Sequence, residues 1–283
     1  MLISQIINGL SSAGLLLLAA LGAVIIFGNM GIINLAHGDL IMTGAYTTVF
    51  FSEQGIPFGV CVVLSFITAA VVGLLIEITV IRRFYGQLNN TLLASYAVSI
   101  ILGQSAKLIF GPATRTIPPA IAGSLVIGGV YIPYYNILIV AIALLTAFLT
   151  WALLYRTTLG LKIRAISQNR RMTECLRVDT AKIDTFTFAL GSGLAGVAGA
   201  VIVPARVATP LMGASYLLDS FITVVVGGFD SLLGAGASAA LISEFTSVLG
   251  GFVSEVAAKI ILLLLVIVLI RFRPRGLFAK EGR

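Results

Sequence analysis

The chain has 283 residues, of which 59% are hydrophobic and 10% charged, with a formal net charge of +7 and a mean hydropathy of +1.09. A soluble domain is roughly 25% charged, and eleven acids with eighteen bases cannot cover a globule of this length. A soluble enzyme and a disordered chain are excluded, and a polytopic membrane protein is required.

Met1 to Gln5 holds no basic residue, so a cleaved signal is not expected. Apolar runs long enough to cross a bilayer predict helices near 6–28, 32–51, 57–81, 91–110, 135–155, 184–203, 215–232, 233–250 and 255–271. The fold class expected is an all-α membrane bundle of about eight to ten transmembrane helices. Gly and polar residues interrupt 32–51 and 215–250, which makes those segments candidates for re-entrant structure buried by protein or lining a wet cavity.

In the second span, Asn34-Leu35-Ala36-His37-Gly38-Asp39 is the most polar stretch of the first fifty residues. Two readings stand side by side: a helix cap built on Asn34 and Asp39, or a lining of a translocation path. His37 is the single histidine, so no histidine pair is available for a metal. Glu77 lies about one turn before Arg82 and Arg83 and reads as a snorkelling ion pair. Gln104, with Asn89 and Asn90, is a weaker path candidate. The stretch 111–134, with Pro118 and Pro119, predicts a small extracytoplasmic loop or hairpin.

Residues 160–183 form the longest polar connection and mix apolar with charged residues. Beyond it, Gly191, Gly193 and Gly196 spell GxGxxG, but inside an apolar span and without the soluble sheet a dinucleotide site needs. Gly191, Ala195 and Gly199 recur at four-residue steps, the spacing that lets helices approach closely in lipid. Asp219 and Ser220 are further path candidates, Asp219 as an acid at the start of a span. Glu255 and Lys259 have the favourable i,i+4 order and read as structural. Cys61 and Cys175 fall in different environments, so neither a disulfide nor a metal site is expected.

No Lys or Arg precedes Arg82, and fourteen of the eighteen bases fall at Arg82 and Arg83, between Arg156 and Lys182, and in the tail from Arg271 to Arg283. Short basic loops between apolar spans mark the cytoplasmic side. The expected topology puts the N-terminus and 111–134 outside and the C-terminus inside, in a single permease domain over 1–283. The positive excess thus reads as topology, and no nucleic-acid partner is expected. The chain has no Gly-Lys dipeptide and hence no Walker A loop, so ATP-driven transport needs a separate motor chain.

Four stretches carry a resemblance: GNMGIINLAHGDLIMTGAY (28–46), 159–200, VVVGGFDSLLGAGASA (224–239) and the ending RFRPRGLFAKEGR. They resemble the branched-chain amino-acid and urea group of ABC-importer membrane subunits. Gln168 and Asn169, the run TFALGSGLAG (187–196) and SYLLDSF (215–221) look most like the urea permeases. Arg177 stands where a Gly usually follows the docking helix, and Asp230 where GGxGS places Gly.

The resemblance implies a bacterial inner-membrane permease without cofactor, partnered by two ATPase subunits, a second homologous permease and an extracytoplasmic binding protein. It implies that 160–183 holds the coupling helix, with Gln168, Asn169, Arg170, Arg171 and Glu174 at the ATPase; the small-residue spacing itself assigns Gly191, Gly193, Gly196 and Gly199 to helix packing. The substrate expected is urea or a short amide, since Asn34 and Gln104 are polar but neutral. A branched-chain amino acid is the alternative. An intramembrane hydrolase is remote, because nothing ties Ser192, Ser215 or Ser238 to His37 as a nucleophile to its base.

Overall fold

The computed structural model describes residues 2–127, 130–229, 231–273 and 276–278. Asp230 and, in the basic tail, 274–275 and 279–283 lie outside the described residues, as does the Glu255 side chain. The chain is nearly all helical: α1 (Leu2–Met30), α2 (His37–Glu53), α3 (Phe58–Thr79), α4 (Leu88–Phe110), α5 (Tyr134–Arg156), α6 (Thr158–Gln168), α7 (Arg170–Cys175), α8 (Thr180–Ile202), α9 (Met212–Gly227), α10 (Leu232–Gly250) and α11 (Glu255–Phe272). The expected hairpin in 111–134 is present as antiparallel β1 (Ser124–Ile127) and β2 (Val130–Pro133), pairing Leu125 with Ile132.

Among the described residues, six helices (α1, α3, α4, α5, α8 and α10) are long and apolar enough to cross a membrane. The first segment expected to be irregular, 32–51, holds one short helix, and the second, 215–250, holds the short α9 followed by α10, which is long enough to cross. With 17 and 16 residues, α2 and α9 reach only about 25 Å at 1.5 Å per residue, short of a hydrocarbon core of roughly 30 Å. Non-helical chain at 31–36 and 203–211 leads into each of them. Neither has a side-chain cap: their N-cap positions are Ala36 and Leu211. The cap reading of Asn34 is therefore corrected. Its Oδ1 accepts from the backbone N–H of Ala36 at 3.0 Å, which shapes the approach to α2 without closing the helix.

Both short helices begin in the middle of the bundle. His37 is 2.9 Å from the carbonyl of Ala19, halfway along α1, and a Cβ on Gly38 would strike the carbonyl of Gly213, the second residue of α9. From this meeting α2 runs to the hairpin end, where Glu53 pairs with Arg115 at 2.9 Å. α9 runs to the opposite, basic end, where Val226 accepts from Leu277 of the tail. The surrounding contacts repeat with the same inversion: α3 packs along α8 as α10 packs along α1, and α2 meets α3 as α9 meets α10. The helices α1–α4 and α8–α11 thus form two inverted halves around the α1–α8 pair.

Close approach depends on glycine. A Cβ on Gly44 of α2 would run into the backbone of Gly196, one on Gly199 into the carbonyl of Ile41, and one on Gly191 into Ile26 and the carbonyl of Gly22. Gly193 faces the ring of Phe66. The GxGxxG spelling is therefore a stripe on which α1, α2 and α3 lie. Hydroxyls tie the same seam, with Thr48 2.8 Å from Ser65, which donates to the carbonyl of Gly44.

At the basic end, α6 and α7 are started by side-chain caps from Thr157 and Asn169. Asp179 caps α8, and its hydrogen bonds from the Lys182 side chain and backbone N–H hold its carboxyl below the usual carboxylate range. Arg177 adopts φ +59°, the left-handed conformation that glycine takes without strain, so the Gly expected there from the resemblance would fit this backbone.

Candidate functional site

Polar residues of the apolar spans are drawn into two cavities on opposite sides of α9. One face, Met212, Ser215, Tyr216, Asp219 and Ile222, borders a cavity of about 890 Å3 whose other walls are α1, α10, α11, Asn136 of α5 and the 205–209 turn. The other face, Ala214, Leu217, Leu218, Phe221 and Val224, with Ser220 at its margin, borders a cavity of about 520 Å3. Each set follows i, i+3, i+4, i+7, i+10, so the two faces lie on opposite sides of one helix. α9 is the wall between the cavities.

The larger cavity is polar. Asn8, Ser11 and Ser12 of α1 enter it, with Asn136, Thr209 and Arg206. Asp219 and Lys259 form an ion pair across it at 2.8 Å, joining α9 to α11. Arg206 makes no ion pair among the described residues.

The smaller cavity is walled by Ala23, Ile26, Phe27, Ile32, Leu92 and the apolar face of α9. Its polar margin consists of Asn34, His37 and Ser220. Ser220 is already engaged, donating to the carbonyl of Tyr216 at 2.6 Å.

Three of the six path candidates, Asn34, His37 and Ser220, thus share one cavity, and Asp219 borders the other. Asp39 lines neither. It is buried against Gly213, with Ser99 of α4 beside it, where one carboxylate faces the partial positive charge of two helix N-termini. Gln104 is exposed on α4 and borders neither cavity. Sequence reasoning missed Asn8, Asn136 and Arg206, although a lone asparagine within an apolar run carries the same signal as Asn34.

The ATPase-facing candidates also separate. Gln168, Asn169, Arg171 and Glu174 are exposed, as are Met172 and Leu176 beside them. Arg170 is also exposed, but its guanidinium is engaged by the bundle: it pairs with Asp184 at 2.7 Å and with Glu174 at 3.3 Å, donates to Thr180, and lies 5.3 Å over the ring of Tyr85. Tyr85 in turn donates to buried Glu77 at 2.7 Å, and Glu77 also accepts from Arg82 and Thr185. Burial, and then donation to Glu77, push the Tyr85 hydroxyl pKa up. One polar network therefore joins α7, α8 and α3.

Residues 5–270 match the family described as "Branched-chain amino acid transport system / permease component". The chain belongs to this permease family. It is 26% identical to the high-affinity branched-chain amino acid transport system permease protein BraD of Pseudomonas aeruginosa, over 98% of this chain and 96% of that protein. It is 22% identical to the permease protein LivH of Escherichia coli, over the same shares. A probable branched-chain amino acid transport permease of Methanocaldococcus jannaschii is 26% identical over 96% of this chain and 90% of its own length. No solved structure matches significantly. The importer-permease resemblance is therefore upheld, while these likenesses lend the urea expectation no support.

Proposed function

We propose that this permease moves branched-chain amino acids inward across the cytoplasmic membrane, with the basic end cytoplasmic and the N-terminus outside. The observation that carries the substrate is the cavity of about 520 Å3 walled by Ile26, Phe27, Ile32, Leu92, Leu217 and Val224. An aliphatic side chain gains roughly 1.5–3 kcal/mol by burial in such walls. Urea has no apolar group to place there. The polar cavity on the hairpin side suits the charged ends of an amino acid arriving from a binding protein. Arg171, Met172 and Leu176 supply an exposed basic and apolar knob for an ATPase subunit. A second permease copy or homologue and two ATPase chains complete the assembly, and nucleotide-driven motion of α6–α7 displaces α9 between the cavities.

The test is reconstitution of the complete complex with uptake of labelled leucine, urea and short amides side by side. Leucine uptake, with competition from isoleucine and valine, is expected; urea uptake without leucine uptake overturns the assignment. In the same assay, Asp219→Asn and Lys259→Gln should each lower leucine uptake several-fold. Neither should reduce the amount of folded protein, since a half-exposed pair contributes about 1 kcal/mol or less. Parallel losses of uptake and folded protein would make the pair structural.

A further inference from the structure

The smaller cavity's polar margin contains two buried atoms with no hydrogen-bond partner: Nδ2 of Asn34 and Nδ1 of His37. The residues are 7% and 2% exposed. Their neighbours fix what each atom can do. The N–H of Ala36 can only donate, and it donates to Asn34 Oδ1, so Nδ2 is left as a donor. The carbonyl of Ala19 can only accept, so the His37 nitrogen 2.9 Å from it, Nε2, carries the proton. In the neutral ring Nδ1 is then a bare acceptor.

Buried polar groups without partners are rare and costly, and each calls for a reason. A donor and an acceptor on two residues that line an apolar chamber match a zwitterion with an aliphatic tail. We infer that Asn34 and His37 form the head-group subsite for an aliphatic α-amino acid, Asn34 Nδ2 donating to its carboxylate and His37 Nδ1 accepting from its ammonium, with the side chain in the chamber lined by Ile26, Leu92, Leu217 and Val224. The inference rests on the transport reading above and assigns it a specific recognition site. Both atoms are shielded from water in this conformation, so the site is occupied when α9 withdraws its apolar face.

Two near-isosteric variants separate recognition from folding. Asn34→Asp keeps an oxygen for Ala36 N–H and replaces the donor by a second acceptor. His37→Gln keeps an N–H for the Ala19 carbonyl and removes the ring acceptor. The probes are leucine, 4-methylpentanoate (no ammonium) and 3-methylbutylamine (no carboxylate), bound to the assembled complex in nanodiscs without the binding protein. Asn34→Asp should weaken leucine and 4-methylpentanoate by about ten- to a hundredfold and spare the amine; His37→Gln should weaken leucine and the amine similarly and spare the acid. This crossed pattern is not produced by a folding defect, which lowers all three together.

Wild-type leucine uptake with variants that bind every probe as the parent does overturns the subsite and leaves the transport reading standing. A uniform loss of all three probes in both variants also overturns it, making the two residues structural. Absence of leucine uptake by the wild-type complex removes the transport reading itself, and the subsite with it.

Discussion

Arg170→Glu is expected to be among the most damaging single substitutions in the chain, and for a different reason from Arg171→Glu beside it. The Asp184 side chain is 3% exposed and is held by the guanidinium of Arg170 at 2.7 Å. Reversal leaves that carboxylate buried and faces it with a second acid. Breaking an enclosed ion pair costs roughly 3–5 kcal/mol. The Arg170 side chain remains 41% exposed, so a discounted loss of about 2–3 kcal/mol is expected. The contact with the Tyr85 ring and the bond to Thr180 disappear with it.

Thermal unfolding in detergent should show the loss directly, and Asp184→Asn should recover part of it in the double variant by removing the stranded charge. Arg171 is exposed and makes no ion pair among the described residues, so Arg171→Glu should leave unfolding unchanged and reduce retention of the ATPase subunit on co-purification. Equal effects of the two substitutions on both measurements would refute the division of roles.

Gly44→Val is the second large effect. Its Cβ would lie inside contact distance of the backbone of Gly196, and two helix backbones cannot yield as a flexible side chain does. Overpacking at such a crossing costs about 3 kcal/mol, the upper end of the usual range, and the seam between α2 and α8 should open. Gly59 and Gly236 have no atom within 4 Å of a built Cβ. Alanine there should be neutral or stabilise its helix by about 0.5–1 kcal/mol. The amount of monodisperse protein after extraction distinguishes these outcomes; tolerance of valine at 44 would mean the seam is looser than the glycine contacts indicate.

How far the sequence alone reaches is clear from these same residues. Apolar run length places α1, α3, α4, α5 and α8 within a few residues, because lipid imposes a length that composition records. The stripe Gly191–Gly199 is legible because only small residues at that spacing admit a close crossing. The start of α2 is misplaced by five residues, since what ends the irregular stretch is the Ala19 carbonyl and the start of α9, both remote in sequence. Arg170 and Arg171 are adjacent and alike in type; only the fold turns one toward Asp184. Lys259 has a partner that helix spacing does not announce, Asp219, 40 positions away. Gln104 is exposed on α4, away from both cavities, a placement that its residue type does not announce. The apolar chamber is invisible in sequence because Ile26, Leu92 and Val224 read as ordinary lipid-facing residues until three helices converge.

The meeting of α2 with α9 also constrains how the protein is made. Asp39 and Gly213 touch in the finished bundle but are separated by 174 residues of chain. At roughly 5–20 residues per second of synthesis, the polar start of α2 waits about 9–35 s for the helix that shields it. During that interval a short helix with an aspartate and a histidine at its start must be held by α1 and α3 or by the insertion machinery. Substitutions along α8 that delay docking should therefore appear first as degraded nascent chains, before any altered transport by the chains that mature.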